Sequence, residues 1–206
     1  KSKVFLIDCG CNYGFYSFYT ASLSKNNFIV SFEASAKTAE DFNKNLYLNN
    51  YKNIDFNNLA ISDVDNKKVS FNESLNDWES SLSHNNFEER GLTTIKTITI
   101  DTVLKKYTLD NYLLLIKLDV EGHEFQAIKG GEDTIKKFSP LIIIEFSKYI
   151  FENNDDSFAF LTNFLITFDY GIYGTNNKLT TIEEIKLLLK NLDTDHKTIG
   201  NYYLIK

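Results

Sequence analysis

The stretch Asp8-Cys9-Gly10-Cys11-Asn12-Tyr13-Gly14 follows a short apolar run, Val4 to Ile7, and precedes a segment of helical spacing from Phe15 to Leu23. That order reads as a strand, a glycine-containing loop and a helix. Glycines let the backbone turn sharply and approach a ligand closely, and a helix N-terminus offers unpaired N–H groups to a carboxylate or phosphate. In open α/β sheets a ligand sits beyond the carboxyl ends of the strands, which is where such a loop lies. A turn serving only chain reversal is the plainer reading. It loses ground because the next strand-like run, Phe28 to Phe32, also ends on an acidic residue, Glu33.

Working outward, the alternation of strand-like and helix-like segments continues. After Glu33 comes a polar helical segment with apolar positions at Phe42, Leu46 and Leu48, then strand candidates at Ile54 to Leu59, Leu113 to Leu118 and Leu141 to Ile144. Glu124 to Lys137 reads as one helix between the last two. Parallel neighbours need long crossover connections, so this pattern predicts an α/β fold with a mostly parallel sheet covered by helices on both faces. Residues 66–104 differ in character: strand-like Lys68 to Phe71, a polar run from Trp78 to Asn86, and the alternating Thr94 to Ile100. Without a large apolar set of their own they read as an inserted hairpin or lid in one domain spanning residues 1–206. The C-terminal part predicts a helix from Ser157 to Phe168, a strand at Gly171 to Tyr173, a helix from Ile182 to Leu189 and a last strand, Asn201 to Ile205.

The 206 residues carry 22 basic and 28 acidic side chains, a net charge of −6, which argues against a nucleic-acid partner because phosphate binding draws on clustered Lys and Arg. With 43% hydrophobic residues, including 17 Phe and 12 Tyr, the chain can bury a sizeable core. The longest apolar runs, Tyr112 to Ile116 and Leu141 to Ile144, are too short to cross a bilayer, so no transmembrane segment is expected. The only cysteines, Cys9 and Cys11, are poorly spaced to bridge each other and suggest a reducing compartment, the cytoplasm. A chain that begins Lys-Ser-Lys and contains no Met reads as an excised piece whose targeting signals are not visible.

Two clusters carry candidate chemistry. A carboxylate at Glu33 can accept hydrogen bonds from both hydroxyls of a ribose, although a strand-end Glu by itself is more often a solvated charge. With Gly10 as the first glycine of a dinucleotide fingerprint, Asn12 and Phe15 occupy the second and third glycine positions, which disfavours a pyrophosphate. Asp8 beside the loop suits a positively charged ligand such as a sulfonium or amine. The second cluster is Lys117-Leu118-Asp119-Val120-Glu121-Gly122-His123-Glu124, at the end of the fourth strand. Glu124 fits helix capping as well as function. Asp119, Glu121 and His123 face the same ligand if this strand adjoins the first, and the histidine either acts as a general base or orients a carboxylate. Glu145, ending the fifth strand, reads equally as a base or a solvated charge. Carboxylates with a single His and no second cluster of recognised spacing make a weak case for a metal.

Taken together and in order, these residues resemble the FkbM-type S-adenosylmethionine-dependent methyltransferases. The resemblance rests on Asp8 to Gly14, Phe32-Glu33-Ala34, Asn58 to Asp63, Thr99-Ile100-Asp101, and Leu118 to Glu124 followed by Lys129-Gly130. Over Val4 to about Phe146 it implies a class I methyltransferase fold, a doubly wound seven-stranded sheet of order 3-2-1-4-5-7-6 with the last strand antiparallel. It further implies S-adenosylmethionine as cofactor and O-methylation of a hydroxyl on a sugar, glycan or natural product. Position by position it sets Asp8, Gly10, Asn12 and Gly14 around the methionine part, Glu33 on the ribose, and Asn58 and Ala60 along the adenine. Asp119 to His123 form the wall facing the acceptor, with Asp119 also bordering the cofactor. His123 is then the first candidate base, followed by Asp119, Glu121 and Glu145. Cys11 stands where the family usually has a small residue, and as a small hydrophobe it preserves binding. Acceptor choice is expected in residues 147–206 and around Trp78 to Ser83, with Trp78 a candidate stacking surface, while His84 and His196 read as surface residues. An NAD(P)-dependent oxidoreductase and a cofactor-binding module without catalysis remain the alternatives, and the oligomeric state is not indicated.

Overall fold

The computed structural model describes residues 3–74, 89–151, 154–192 and 198–206; the polar run with Trp78 and His84, and also His196, lie outside them. The chain runs β1 (Lys3–Cys9), α1 (Phe15–Leu23), β2 (Phe28–Phe32), α2 (Ala36–Asn49) and β3 (Ile54–Asn57), then β4 (Ala60–Ile61), β5 (Lys68–Ser74), β6 (Glu89–Ile98) and α3 (Ile100–Leu104). It continues through β7 (Tyr112–Leu118), α4 (Glu124–Lys129), α5 (Glu132–Phe138), β8 (Leu141–Ser147), α6 (Asn154–Phe168), β9 (Gly171–Tyr173), β10 (Leu179–Thr180), α7 (Ile182–Lys190) and β11 (Thr198–Ile205).

The main sheet has the order β10-β9-β11-β8-β7-β1-β2-β3. It therefore has eight strands rather than the expected seven, and the order is extended at one edge by the two-residue strand Leu179–Thr180. The hairpin after β9 supplies this strand: Gly174 N–H donates to the Lys178 carbonyl at 3.0 Å and folds the chain back on itself. Strands β3, β2, β1, β7 and β8 are mutually parallel, whereas β11 runs antiparallel to both β8 and β9. The chain leaves β1 toward β2 and β3, then returns to β1's other side at β7, which makes the carboxyl end of β1 the switch point of the sheet.

Residues adjacent across paired strands share a face. The row Ile7, Ile116, Ile142, Leu204 and Ile172 faces the main core with α3 to α7, and the row Asp8, Lys117, Ile143, Tyr203 and Tyr173 points the other way. On that second face α1 and α2 close a smaller core of Leu6, Ala21, Ile29, Phe42 and Ile54, with the Phe42 ring stacked 4.3 Å from Phe56 and 5.0 Å from Phe18.

One expected element is divided and another is shortened. The segment from Glu124 to Lys137 breaks at Gly130–Gly131, where a Cβ on Gly130 would lie 2.1 Å from the Ser62 carbonyl oxygen and one on Gly131 3.2 Å from Ile100, so close packing replaces helical continuity. The third strand ends at Asn57, and Ala60–Ile61 instead pair with Thr97–Ile98 in a three-stranded sheet of order β4-β6-β5. Strands β5 and β6 pair antiparallel, from Lys68 opposite Lys96 to Ser74 opposite Glu89.

Candidate functional site

The β1–α1 loop is held against the end of β2. Gly10 and Cys11 N–H groups both donate to the Phe32 carbonyl, at 3.0 and 2.9 Å. Asn12, in left-handed conformation, donates its N–H to Glu33 Oε2 at 2.9 Å, while Glu33 Oε1 accepts from Ser35 N–H at 2.8 Å. Gly10 has φ +74, and a Cβ there would meet the Asp119 carbonyl oxygen at 1.8 Å, so only glycine lets the loop lie flat on the end of β7. Gly14, at φ +94, opens α1, which carries neither a side-chain cap nor an acidic residue in its first turn. The leading N–H groups of α1 therefore lack the side-chain acceptors that usually satisfy them.

Glu33 is buried, and burial pushes its carboxyl up to about 7 despite the backbone N–H groups of Ser35 and Asn12 that favour the charged form. A carboxylate has about four acceptor sites, so Glu33 keeps capacity for a ribose hydroxyl beyond its backbone bonds. Asn58 serves the backbone instead. Its side-chain amide donates to the Glu33 carbonyl at 2.7 Å and the Ala34 carbonyl at 3.2 Å, fixing the end of β2. Ala60 is buried in the small sheet beside Thr97.

Asp8 is completely buried. Its Oδ2 accepts from Ser17 Oγ at 2.6 Å, Ser17 Oγ lies 2.7 Å from Ser31 Oγ, and Oδ1 has no hydrogen-bond donor among the described residues. Burial raises its pKa, and Lys117 and the Ser17 hydroxyl pull in the opposite direction. Lys117, which the sequence shows only as part of the fourth strand, is the charge at the centre of this site. Its ammonium is 4.0 Å from Asp8 Oδ1, 2.9 Å from Asp119 Oδ2 and 5.0 Å from the centre of the Tyr16 ring. Burial works against that charge, but the carboxylates of Asp119 and Asp8 outweigh it and raise the lysine's pKa. A lysine inside an apolar strand run is the signal that points to it, because a long charged side chain is almost never fully buried unless paired.

Asp119, Glu121 and Glu145 come together, each with a carboxylate oxygen within 4.8 Å of the others. That spacing suits a divalent cation, although the Lys117 ammonium already supplies a positive charge against Asp119. Glu145 is pushed up to about 7 by burial, then by the neighbouring Asp119 charge. His123 faces elsewhere: its Nε2 lies 3.1 Å from Ser62 Oγ, Nδ1 is buried without a partner among the described residues, and burial lowers its pKa. Glu124 organises the loop. Its carboxylate accepts from Val120 N–H at 2.9 Å and Gly122 N–H at 3.0 Å, holding the left-handed turn at Glu121 and Gly122, and burial raises its pKa to about 8.

The glycine loop, Glu33 and the acid cluster thus meet at the switch point of an α/β sheet of the methyltransferase kind. The chain belongs to the FkbM methyltransferase domain family, whose sequence profile matches residues 8–172. No curated protein sequence matches the chain. Among solved structures it is similar to an FkbM methyltransferase from Methylobacillus flagellatus, with 17% identity and a TM-score of 0.59 over 98% of this chain and 43% of that one. The chain thus spans less than half the length of that protein. It is also similar to a putative rRNA methylase from Clostridium thermocellum, at 12% identity and a TM-score of 0.54 over 100% and 88% of the two chains. A third is SMU.1697c of Streptococcus mutans, a putative methyltransferase in complex with SAH, at 11% identity and a TM-score of 0.52 over 100% and 89%. At such identities these likenesses speak for the fold. No helix among the described residues is long and apolar enough to cross a membrane.

Proposed function

We propose that the chain is an S-adenosylmethionine-dependent O-methyltransferase acting on a hydroxyl of a sugar, glycan or natural product. The observation that carries the reading is the gathering of carboxylates at the switch point: Asp8 and Glu33 stand at the ends of adjacent strands, and Asp119 and Glu145 come together at the ends of the strands on the other side of β1. The residues fit the cofactor chemically. A fully buried Asp8, whose Oδ1 has no hydrogen-bond donor among the described residues and only the Lys117 ammonium at 4.0 Å, suits a ligand cation, the uncapped start of α1 suits a carboxylate, and Glu33 suits a ribose. Gly10, Asn12 and Gly14 shape the wall around the methionine part, with Asp119 at its border and Asn58 and Ala60 behind the end of β2. Bound there, S-adenosylmethionine supplies the electrophilic methyl group.

The protein's own contribution is alignment of two reactants in a water-poor crevice, together with removal of the acceptor's proton. The Asp119–Glu145 pair is the base: Lys117 holds Asp119 in place, and the proton leaving the acceptor hydroxyl goes to a carboxylate oxygen. Glu121 borders the acceptor. His123, bonded to Ser62, orients the loop. Residues 147–206 and the segment around Trp78 select the acceptor. The two free, buried thiols of Cys9 and Cys11 accord with a cytoplasmic location.

Calorimetric titration with S-adenosylmethionine tests the reading. Asp8→Ala and Glu33→Ala are expected to abolish measurable binding, and a mass increase of one methyl group on a panel of hydroxylated sugars identifies turnover. Binding of NADH with no binding of S-adenosylmethionine would replace this reading with the oxidoreductase.

A further inference from the structure

Strands β8 and β11 run antiparallel, and Asn201 stands directly opposite Glu145 across them. Side chains paired in this way project to the same face of the sheet, with Cβ atoms about 4.5–5.5 Å apart. Ser147, two residues beyond Glu145 on β8, is on that face as well. The other face is taken by Ile144, Phe146 and Tyr202, all in the main core. Glu145, Asn201 and Ser147 therefore make a polar row that starts at the acid cluster, where the carboxylates of Asp119 and Glu121 lie within 4.8 Å of that of Glu145.

Two members of the row are unsatisfied. Asn201 Oδ1 and Ser147 Oγ are buried with no hydrogen-bond partner among the described residues, and Ser147 as a whole is 3% exposed. An unpaired buried polar atom opposes folding, and a ligand hydroxyl supplies the bond it lacks. Asn201 is only partly buried, and the torsion that turns its amide is broad and two-fold, so Oδ1 reaches the open side by rotation. At the neighbouring Gly200 the strand register is interrupted, φ is +95, and a Cβ would meet nothing within 4 Å, which leaves room beside Asn201.

Oδ1 is an acceptor only, so it takes a hydroxyl and refuses an ether or a carbonyl at the same place. From the pairing of Asn201 with Glu145, the two unpartnered oxygens and the space at Gly200, we infer that Asn201 is a specificity-determining residue. It holds the hydroxyl next to the one that is methylated, with Ser147 as that hydroxyl's second contact, so the acceptor is a vicinal diol. The inference rests on the methyltransferase reading for which hydroxyl reacts, but not for the diol binding it predicts.

The test uses vicinal trans-cyclohexanediol as the probe, with cyclohexanol as the control lacking the second hydroxyl. Each is titrated into the full chain, with and without S-adenosylhomocysteine, and followed by amide NMR. The diol is expected to shift the backbone N–H of Gly200 and the side-chain amide of Asn201, and to bind about tenfold more tightly than cyclohexanol, the size of one hydrogen bond. Asn201→Leu should bring the diol down to the affinity of cyclohexanol and leave the ligand-free melting temperature at or above that of the unaltered protein, because no protein bond is lost. Ser147→Ala should weaken the diol in the same direction. Equal binding of the two probes, shifts confined to other surfaces, no shifts at all, or unaltered diol affinity in Asn201→Leu would each overturn the inference. So would a clear fall in the melting temperature of Asn201→Leu, since Oδ1 would then have a partner within the protein. Separate titration with S-adenosylmethionine distinguishes the two levels: if the cofactor binds and the diol does not, only the role of Asn201 falls. If the diol binds and the cofactor does not, the methyltransferase reading falls and the diol site stands.

Discussion

The two faces of the central sheet differ by one residue of register and by almost everything else. On one face Ile7, Ile116, Ile142, Leu204 and Ile172 form a row no more than 2% exposed, sealed by five helices. One step along the same strands, Asp8, Lys117, Ile143, Tyr203 and Tyr173 look out on the other side, where α1 and α2 supply the cover. Toward the amino ends of its strands that second face leaves Leu113 55% exposed, and toward the carboxyl ends it carries Asp8, Lys117 and Glu145. The strict alternation of a strand makes this division possible: the same backbone gives one face to the core and sets charged side chains on the other.

Neighbouring residues of β8 offer the sharpest way to break that division. If the proposed function holds, Glu145→Gln on the charged face should lower the rate of methyl transfer by about 10²–10⁴-fold, the usual contribution of a general base, with cofactor affinity retained. Single-turnover measurement checks it, and an unchanged rate would remove Glu145 from the mechanism. Ile144→Ala, one residue back and wholly buried, should instead cost about 2–5 kcal/mol of unfolding free energy in urea, through lost contacts and a cavity.

A smaller effect concerns pH. Burial raises Glu33 to about 7 and Glu124 to about 8, from ordinary values of 4.5. Between the ordinary and raised values the folded protein holds protons that the unfolded chain has released, so stability falls as pH rises. The ligand-free protein should therefore melt at a lower temperature at pH 8 than at pH 5, and Glu124→Gln should flatten that slope. A melting temperature that climbs over this range would contradict the assignment. The smallest effect belongs to the open part of the second face: Leu113→Ser should change stability by no more than about 0.5 kcal/mol, as is usual for exposed positions. A loss as large as that of Ile144→Ala would show that the two faces are equally covered in solution.

Much of the fold is legible in the sequence because its signals are local. Short continuous apolar runs at Val4 to Ile7 and Leu141 to Ile144 mark strands, and Gly10 and Gly14 announce a turn that side chains would block. The placement of Asp8 and Glu33 at the ends of neighbouring strands follows from the βαβ pattern alone, since a crossover helix sets the next parallel strand beside the last. Capping chemistry is equally local, as in the Thr181–Glu184 box that starts α7.

Other features come from contacts between residues far apart in the chain. Glycine at 130 and 131 does not by itself end a helix; the Ser62 carbonyl and Ile100 pressing on them do. The eighth strand has two residues, too few for any periodicity, and exists because β9 offers a free edge. His123 stands first as a base beside its acidic neighbours in sequence, but the turn at Glu121 and Gly122 directs it to Ser62, while Lys117 gains its importance from Asp8, 109 residues earlier. The sequence by itself determined which residues are chemically able and which strand ends carry them, because residue type and periodicity are properties of short segments. Only the tertiary structure decided which of those groups meet, because burial and charge pairing depend on distances set by strand register and helix packing.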